Sequence, residues 1–586
     1  MTKYKEQLRP TLKKLPVPEL HETLATLNEW ICPLVTVEEL AAFQEQAKAF
    51  SLFEGEGLQT SLVDYMEQTT GSWLAPLWEK SYLESRGPLQ SKSNFALMIN
   101  EEYYEKIASK EARAAQLIYQ MTKLYLSLAD ETYPIEYTKK NQHVDMSFYL
   151  NFFKSCRIPG TKQDSFYRGE IQKAGNYIMI FLNGVYFRLN VTDESGGIYP
   201  LNQLYENLNY IHSLNSVPKQ GEALISYMTG TEREHSNLIY KGLKKEKLNR
   251  QNLQQLEDAL FILSFSSGKD ALKEERITEV LLNTNHQFLS KTTQAVITQN
   301  GHIGFNMEHT AIDGVPTLNL LTQLFEPFHD VPIKTTTKCS ADLIQKLEWT
   351  LTSQMIDSLE EARDFVEQEN SSYIIKHQVV SAIGKERMKQ AQVSPDAFFH
   401  IALALAQQKV FGKLRSVYEP VAMRMYYEGR TESARSISQE KKSFAEAFYN
   451  KSEPKSQEAL VVLFTNAAQA HSKRIAQCQS GKGVERHLFG LQKMIQSSEE
   501  KTPLFTAEAL KILGDDFIST TGIPYDILES FSFGPTNKSG FGLYYGILDE
   551  EVILTLSAKK VNENTAERML AAIETALMEL TELLAI

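Results

Sequence analysis

The chain has 586 residues, more than one hydrophobic core can organise, so two or more large domains are expected. Apolar residues make up 42% and charged residues 23%, an ordinary globular composition, and the formal charge of −12 argues against nucleic acid as a partner. The four scattered cysteines, Cys32, Cys156, Cys339 and Cys478, form neither a disulfide framework nor a metal-ligand spacing, and they fit a reducing cytosol.

Residues 1–10 carry charges without the apolar run of a secretory signal, and no later apolar run is long enough to cross a bilayer. Leu15-Pro16-Val17-Pro18 gives a rigid extended start, followed by helical patterns over 20–30 and 37–49. Trp73, Leu74, Leu77, Trp78 and Tyr82 fall at helical spacing and read as core. Arg86-Gly87-Pro88 ends that helix and marks a boundary. The next block is mixed α/β: 101–129 reads as helix, 156–160 as loop, 177–191 as two strands around Asn183-Gly184, and 253–263 as helix.

A second hairpin leads to the stretch richest in chemistry. Gln294 to Thr298 alternates, Asn300-Gly301 signals a type I′ turn, and Ile303, Phe305 and Met307 share a face. The strand ends in His309, with Asp313 four residues on and Gly314 after it. A histidine at a strand end is held rigidly and can face a cleft. Asp313 can order the backbone or favour imidazolium, and Gly314 permits a sharp exit turn. A surface histidine followed by an Asp-Gly turn is the plainer alternative.

In the second half, Ser394-Pro395-Asp396 starts a helix that runs to residue 410, with Phe398, Ile401, Ala402 and Leu405 inward. Lys385 and Lys389 share a face just before it and suit a phosphate, with Asp396 suited to an amine; a solvated lysine pair is the alternative. Residues 417–436 interleave hydroxyl and guanidinium groups with apolar positions. Tyr418, Arg424, Thr431 and Arg435 can grip a small carboxylate or bridge two domains. Ser519-Thr520-Thr521-Gly522 follows an apolar strand, where small hydroxyls can donate to an oxyanion or simply make a turn. Strands over 543–545 and 552–556, and a last helix capped by Asn564, close the chain.

In this order and spacing the pieces resemble the choline/carnitine O-acyltransferases almost end to end. The resemblance rests on Leu15-Pro16-Val17-Pro18, Trp73-Leu74 and Trp78, Cys156-Arg157-Ile158-Pro159-Gly160, and Glu308-His309 to Asp313-Gly314. It continues through Lys385, Lys389 and Ser394-Pro395-Asp396-Ala397-Phe398, then 418–436 and Arg486-His487-Leu488. Ser519-Thr520-Thr521 and Phe533-Gly534-Pro535 to Gly540-Phe541-Gly542 complete it. The match is best to the carnitine-acetylating members.

The resemblance implies an α/β fold of two chloramphenicol-acetyltransferase-like domains, each a mixed β-sheet with flanking helices, with the active site at the domain interface. Residues 1–86 would be a helical segment packing on the C-terminal domain, 87–351 the domain carrying His309, and 352–586 the domain carrying the CoA and carnitine contacts. His309 would be the general base, Asp313 the carboxylate ordering its surroundings, and Thr521 the oxyanion donor. Tyr418, Thr431, Arg486, Ser519 and Phe533 would contact carnitine, the last against its trimethylammonium group. Lys385, Lys389 and Asp396 would contact CoA, and Phe531 would plug the acyl tunnel.

The implied reaction is reversible transfer of a short acyl group between CoA, as substrate, and L-carnitine, with no tightly bound cofactor and no metal. Arg486 favours carnitine over choline, because choline has no carboxylate. Choline acetylation, a medium-chain carnitine acyltransferase and a non-catalytic CoA-binding homologue are the alternatives. The expected protein is a cytoplasmic monomer acting on small molecules. Thr521 stands where the family has Ser, Ser433 where it commonly has Thr, and Gly522 where Gln is common.

Overall fold

Apolar runs form two mixed β-sheets in the computed structural model, which describes residues 9–138, 140–328, 338–495 and 502–586. Most of the charged opening, residues 1–8, lies outside the described residues. The first sheet has eight strands in the order Leu528–Phe533, Phe95–Ile99, Ile303–Met307, Thr293–Ile297, Ile262–Phe265, Tyr177–Leu182, Val185–Asn190 and Ile344–Lys346. The second has five: Tyr373–Val380, Val552–Lys559, Phe541–Ile547, Ile518–Gly522 and Val417–Tyr418. Each combines parallel and antiparallel pairs. The helix Pro395–Phe411 packs with Glu563–Leu584 over the second sheet. Every residue of it from Ala397 to Gln407 is buried, as its near-continuous apolar sequence requires.

One strand ties the halves together. Leu528–Phe533 comes from the 352–586 stretch yet pairs antiparallel with Phe95–Ile99 at the edge of the first sheet. The register sets Phe95 opposite Phe533 and Leu97 opposite Phe531, so the pleat gathers these four side chains on one face. The helices Leu20–Ile31, Val37–Leu52, Gly55–Gln68 and Leu74–Glu84 bury Leu27, Trp30, Phe43, Leu62 and Trp73 with Val421, Met423 and Leu491.

Several local expectations are corrected. Asn183 (φ 50°) and Gly184 (φ 81°) are both left-handed, the type I′ pattern, but in the second hairpin only Gly301 (φ 86°) is. There Gly301 N–H donates to Thr298 O at 2.9 Å and Thr298 N–H to His302 O at 2.9 Å, which makes a three-residue loop with glycine at the bulge. The helix expected from 101 begins at Lys110, because Ser109 accepts from Ala112 N–H and caps it there. The segment expected as helix over 253–263 divides into the helix Lys247–Asp258 and the strand Ile262–Phe265. Cys156 to Ile158 lie in the strand Ser155–Ile158, and the last helix starts at Glu563, with Asn562 rather than Asn564 at its cap position.

A fragment ending at residue 351 loses the strand Leu528–Phe533 and bares the whole edge of Phe95–Ile99. We expect it to aggregate and to regain solubility when co-expressed with 352–586. Size-exclusion chromatography checks this, and a soluble monomeric fragment would contradict it.

Candidate active site

His309 lies two residues beyond the strand Ile303–Met307, in a turn that leads into the helix Gly314–Phe325. The turn is built from both sides. Glu308, fully buried, accepts from the Thr310 hydroxyl at 2.6 Å and the Thr310 N–H at 3.2 Å. Its other neighbours are Ser93 Oγ at 3.1 Å and the buried Arg157 guanidinium at 3.5 Å. Arg157 also donates to Asp164 at 2.7 Å and to the carbonyl of Tyr82 at 2.7 Å, so one cation fixes both the histidine turn and the end of the helix Leu74–Glu84.

The second support is Arg430. Its Nε donates to Asp313 Oδ2 at 2.8 Å and its Nη2 to Oδ1 at 3.2 Å. The same guanidinium donates to the carbonyls of Thr310 at 3.0 Å, Ile312 at 3.3 Å and His309 at 3.5 Å. A two-point Arg–carboxylate contact and three otherwise unsupported turn carbonyls are thus served by one side chain. Asp313 occupies the cap position of the helix Gly314–Phe325, yet its side chain makes no cap bond, because Arg430 holds it. Gly314 is not needed for a left-handed turn. A Cβ there would stand 2.9 Å from Ile523 Cδ1, so the glycine allows the second half's chain to come close.

The His309 ring stacks on Tyr82 (5.3 Å, 23°) and meets the edge of Phe95 (5.1 Å). Nδ1 lies 4.0 Å from Asp313 Oδ1, too far for a hydrogen bond, and is itself buried. The side chain keeps 28% of its surface, so the accessible part of the ring lies away from Nδ1. Burial pushes the imidazole below its ordinary range, Asp313 opposes this, and Arg430 adds to it. Asp313 would be raised by burial, but Arg430 and His309 draw it below the usual carboxylate range. The imidazole is therefore neutral at neutral pH, the state in which it can take a proton.

A cavity of about 340 Å³ opens on this ring. Its wall includes His309, Asp313, Tyr418, Thr431, Ser519, Thr521, Phe531 and Phe533, with Trp78 and Tyr82 from the N-terminal helices. Ser519 and Thr521 share one face of the strand Ile518–Gly522, while Thr520 turns back to donate to Tyr418 O at 2.7 Å. Tyr418 is Ser519's parallel neighbour in register. Phe531 stacks on Phe95 (5.0 Å, 10°) and on Tyr544 (5.8 Å, 28°). A larger groove of about 620 Å³ runs beside Arg188, Gln255 and Asp258, but no histidine lines it.

Arg486 stands one layer behind the wall. Its guanidinium lies 3.8 Å from the centre of the Trp78 ring, and Nη2 reaches the Tyr418 hydroxyl at 3.2 Å and Thr431 Oγ1 at 3.3 Å. Lys385, Lys389 and Asp396 are not on the cavity wall. Lys385 pairs with Asp549 and Lys389 with Glu386 at 2.7 Å, both at the surface. Asp396 accepts from the Tyr545 hydroxyl at 2.7 Å and contacts His471 at 2.9 Å. Arg424 lines the cavity with its charge met by Glu136 at 2.7 Å, and Arg435 sits between Glu485 and Asp516.

Sequence reasoning missed Arg430, Arg157 and the two cavity-facing aromatics. Trp73 and Leu74 are core, as the helical stripe predicts, but Trp78 and Tyr82 face the cavity. Arg430 stood unnoticed in a segment already dense in guanidinium groups; its position beside Gly429 and Thr431 was the available signal.

Charged and hydroxyl groups placed around a neutral histidine suit acyl transfer. The profile of the family described as Choline/Carnitine o-acyltransferase matches residues 15–575. The chain belongs to this family, and it is a CoA-dependent O-acyltransferase. It is similar to the carnitine O-acetyltransferase of Homo sapiens, 26% identical over 98% of this chain and 93% of that protein. It is also similar to the choline O-acetyltransferase of Sus scrofa, at 24% identity over 97% of this chain and 92% of that one. Among solved structures, a wax ester synthase/diacylglycerol acyltransferase from Marinobacter aquaeolei VT8 aligns with TM-score 0.36 at 9% identity, covering 87% of this chain and 99% of that one. Among the described residues no helix is long and apolar enough to cross a membrane.

Replacing Arg430 with Met leaves the Asp313 carboxylate buried without its partner. We expect a loss of about 3 kcal/mol in denaturant unfolding and a higher His309 pKa by NMR, since the carboxylate then acts unopposed. Unchanged stability and an unchanged imidazole titration would contradict the arrangement.

Proposed function

We propose that the chain is a carnitine O-acetyltransferase, transferring a short acyl group reversibly between CoA and L-carnitine with His309 as general base. The observation that carries this reading is the single cavity on which His309, Thr521, Tyr418, Thr431, Ser519, Phe531 and Phe533 converge. In the acetylating direction the imidazole takes the proton of the carnitine hydroxyl as its oxygen attacks the thioester carbonyl. The resulting oxyanion accepts a hydrogen bond from the Thr521 hydroxyl. Collapse breaks the C–S bond, and the departing sulfur takes the proton from the imidazolium, so the base is regenerated. Asp313 and Arg430 hold the turn, and burial, aided by Arg430, keeps the ring neutral between cycles.

The hydroxyls of Tyr418, Thr431 and Ser519 suit the carnitine carboxylate, with the charge of Arg486 behind two of them. Choline offers that charge nothing to bind. The Phe533 ring suits a quaternary ammonium by cation–π attraction. Lys385 and Lys389, whose carboxylate partners are exposed, can exchange them for the 3′-phosphate of CoA, and Asp396 is assigned to the adenine. Phe531, locked between Phe95 and Tyr544, would close the acyl end of the cavity and favour short chains. The free thiols of Cys32, Cys156, Cys339 and Cys478 suit the cytoplasm, and a monomer is part of the same proposal.

Three assays test the reading. Purified protein offered acetyl-CoA and a panel of alcohols should release thiol fastest with L-carnitine. A preference for choline would overturn the acceptor, and no release with any alcohol would favour a non-catalytic CoA binder. His309→Ala should lower turnover by at least about a hundredfold with CoA affinity retained; residual activity near wild type would remove His309 as base. Phe531→Gly should extend usable acyl chains towards medium length, and an unchanged chain-length profile would discredit the plug.

A further inference from the structure

The hydroxyl groups on the cavity wall divide into those the protein uses and those it leaves open. Ser93 donates to Glu308 at 3.1 Å, Thr520 to Tyr418 O at 2.7 Å and Thr536 to Asp516 O at 3.2 Å. Tyr418 and Thr431 accept from Arg486 at 3.2 and 3.3 Å, and Ser91 Oγ is enclosed by protein. Among the described residues, the wall hydroxyls that have no hydrogen-bond partner and are not enclosed are those of Tyr82, Ser519 and Thr521. Ser519 and Thr521 serve substrate in the proposed reaction, and Tyr82 shares their state. A hydroxyl on a cavity wall without a protein partner is placed to bond what enters the cavity.

The Tyr82 ring is held firmly. It lies on the His309 imidazole (5.3 Å, 23°) and meets the edge of Trp78 at 5.9 Å. The Arg430 guanidinium stands 5.9 Å from its centre, and its backbone carbonyl accepts from Arg157 at 2.7 Å. The free hydroxyl is thus carried on a ring fixed against the base. Burial pushes the phenol well above its ordinary range; Arg430 and Arg486 oppose this, while Asp313 and Tyr418 add to it. The group therefore stays protonated through neutrality and can donate. Of these neighbours, Arg430 and Asp313 satisfy each other. Tyr418 and Arg486 are bonded to one another and belong to the group proposed for the acceptor's carboxylate.

We infer that Tyr82 is a further substrate-contacting residue, its phenol donating to an oxygen of the acyl acceptor while its ring holds the plane of the base. This rests on the carnitine reading and adds a donor to Ser519 and Thr521.

Tyr82→Phe keeps the ring and removes only the hydroxyl. The variant should unfold at the wild-type temperature, because that hydroxyl bonds nothing in the described protein. KM for L-carnitine should rise about tenfold, the scale of one hydrogen bond to a charged acceptor, with KM for acetyl-CoA unchanged. Choline assayed in parallel identifies the oxygen: a rise confined to carnitine marks the carboxylate, and equal rises mark the alcohol oxygen that both acceptors share. A lower unfolding temperature, an unchanged KM for both acceptors, or a rise in KM for acetyl-CoA would overturn this inference alone. A wild type that acylates neither acceptor would overturn the functional reading and this inference with it.

Discussion

The ion pair between Arg430 and Asp313 is the contact on which the rest of the site depends. It joins residues distant in sequence, brings the turn after the strand Ile303–Met307 against the second half, and occupies three turn carbonyls as well. A buried pair of this kind gains little net stability, since desolvation offsets most of its Coulomb attraction. What it supplies is geometry: the turn has one arrangement in which the Asp313 carboxylate and the carbonyls of His309, Thr310 and Ile312 all meet the same guanidinium. It also sets the charge state of the histidine. Asp313 alone would raise the imidazole, and Arg430 cancels much of that effect, leaving burial to decide for the neutral form.

The halves are further interlocked by the strand Leu528–Phe533, which belongs to one stretch of sequence and to the other sheet. That exchange explains why the cavity wall is assembled from so many segments. Phe531 and Phe533 reach it from the borrowed strand, Phe95 from its neighbour, and Ser519 and Thr521 from the second sheet. The aromatic surfaces fix shape: Tyr82 and Phe95 hold the histidine ring on two sides, and Phe531 is itself held by Phe95 and Tyr544. The polar groups fix orientation. Since the hydroxyls lie in front and Arg486 behind, an acceptor's carboxylate would meet neutral donors first, backed by a charge shielded from water.

Much of this was legible in the sequence. His309, Asp313 and the Ser519–Thr521 strand end stand out because strand periodicity runs directly into them. The buried helix from Pro395 was marked by its proline and its apolar run. Less legible was anything that required knowing what lies opposite. Trp78 and Tyr82 follow the same helical spacing as Trp73, and only the fold decides which side meets packing and which meets a cavity. The Asn300-Gly301 pair reads as a type I′ turn, yet the strands demanded a loop one residue longer. Arg430 is one of several arginines in its segment, and its partner lies far away in sequence.

The central claim is that a half-buried, neutral imidazole serves as the base. The pH dependence of kcat/KM for acetyl-CoA, measured with saturating carnitine, addresses it directly. The account requires a plateau through neutrality and a single acid limb with a pKa below the ordinary histidine value of about 6.5. An acid limb at or above that value would contradict it.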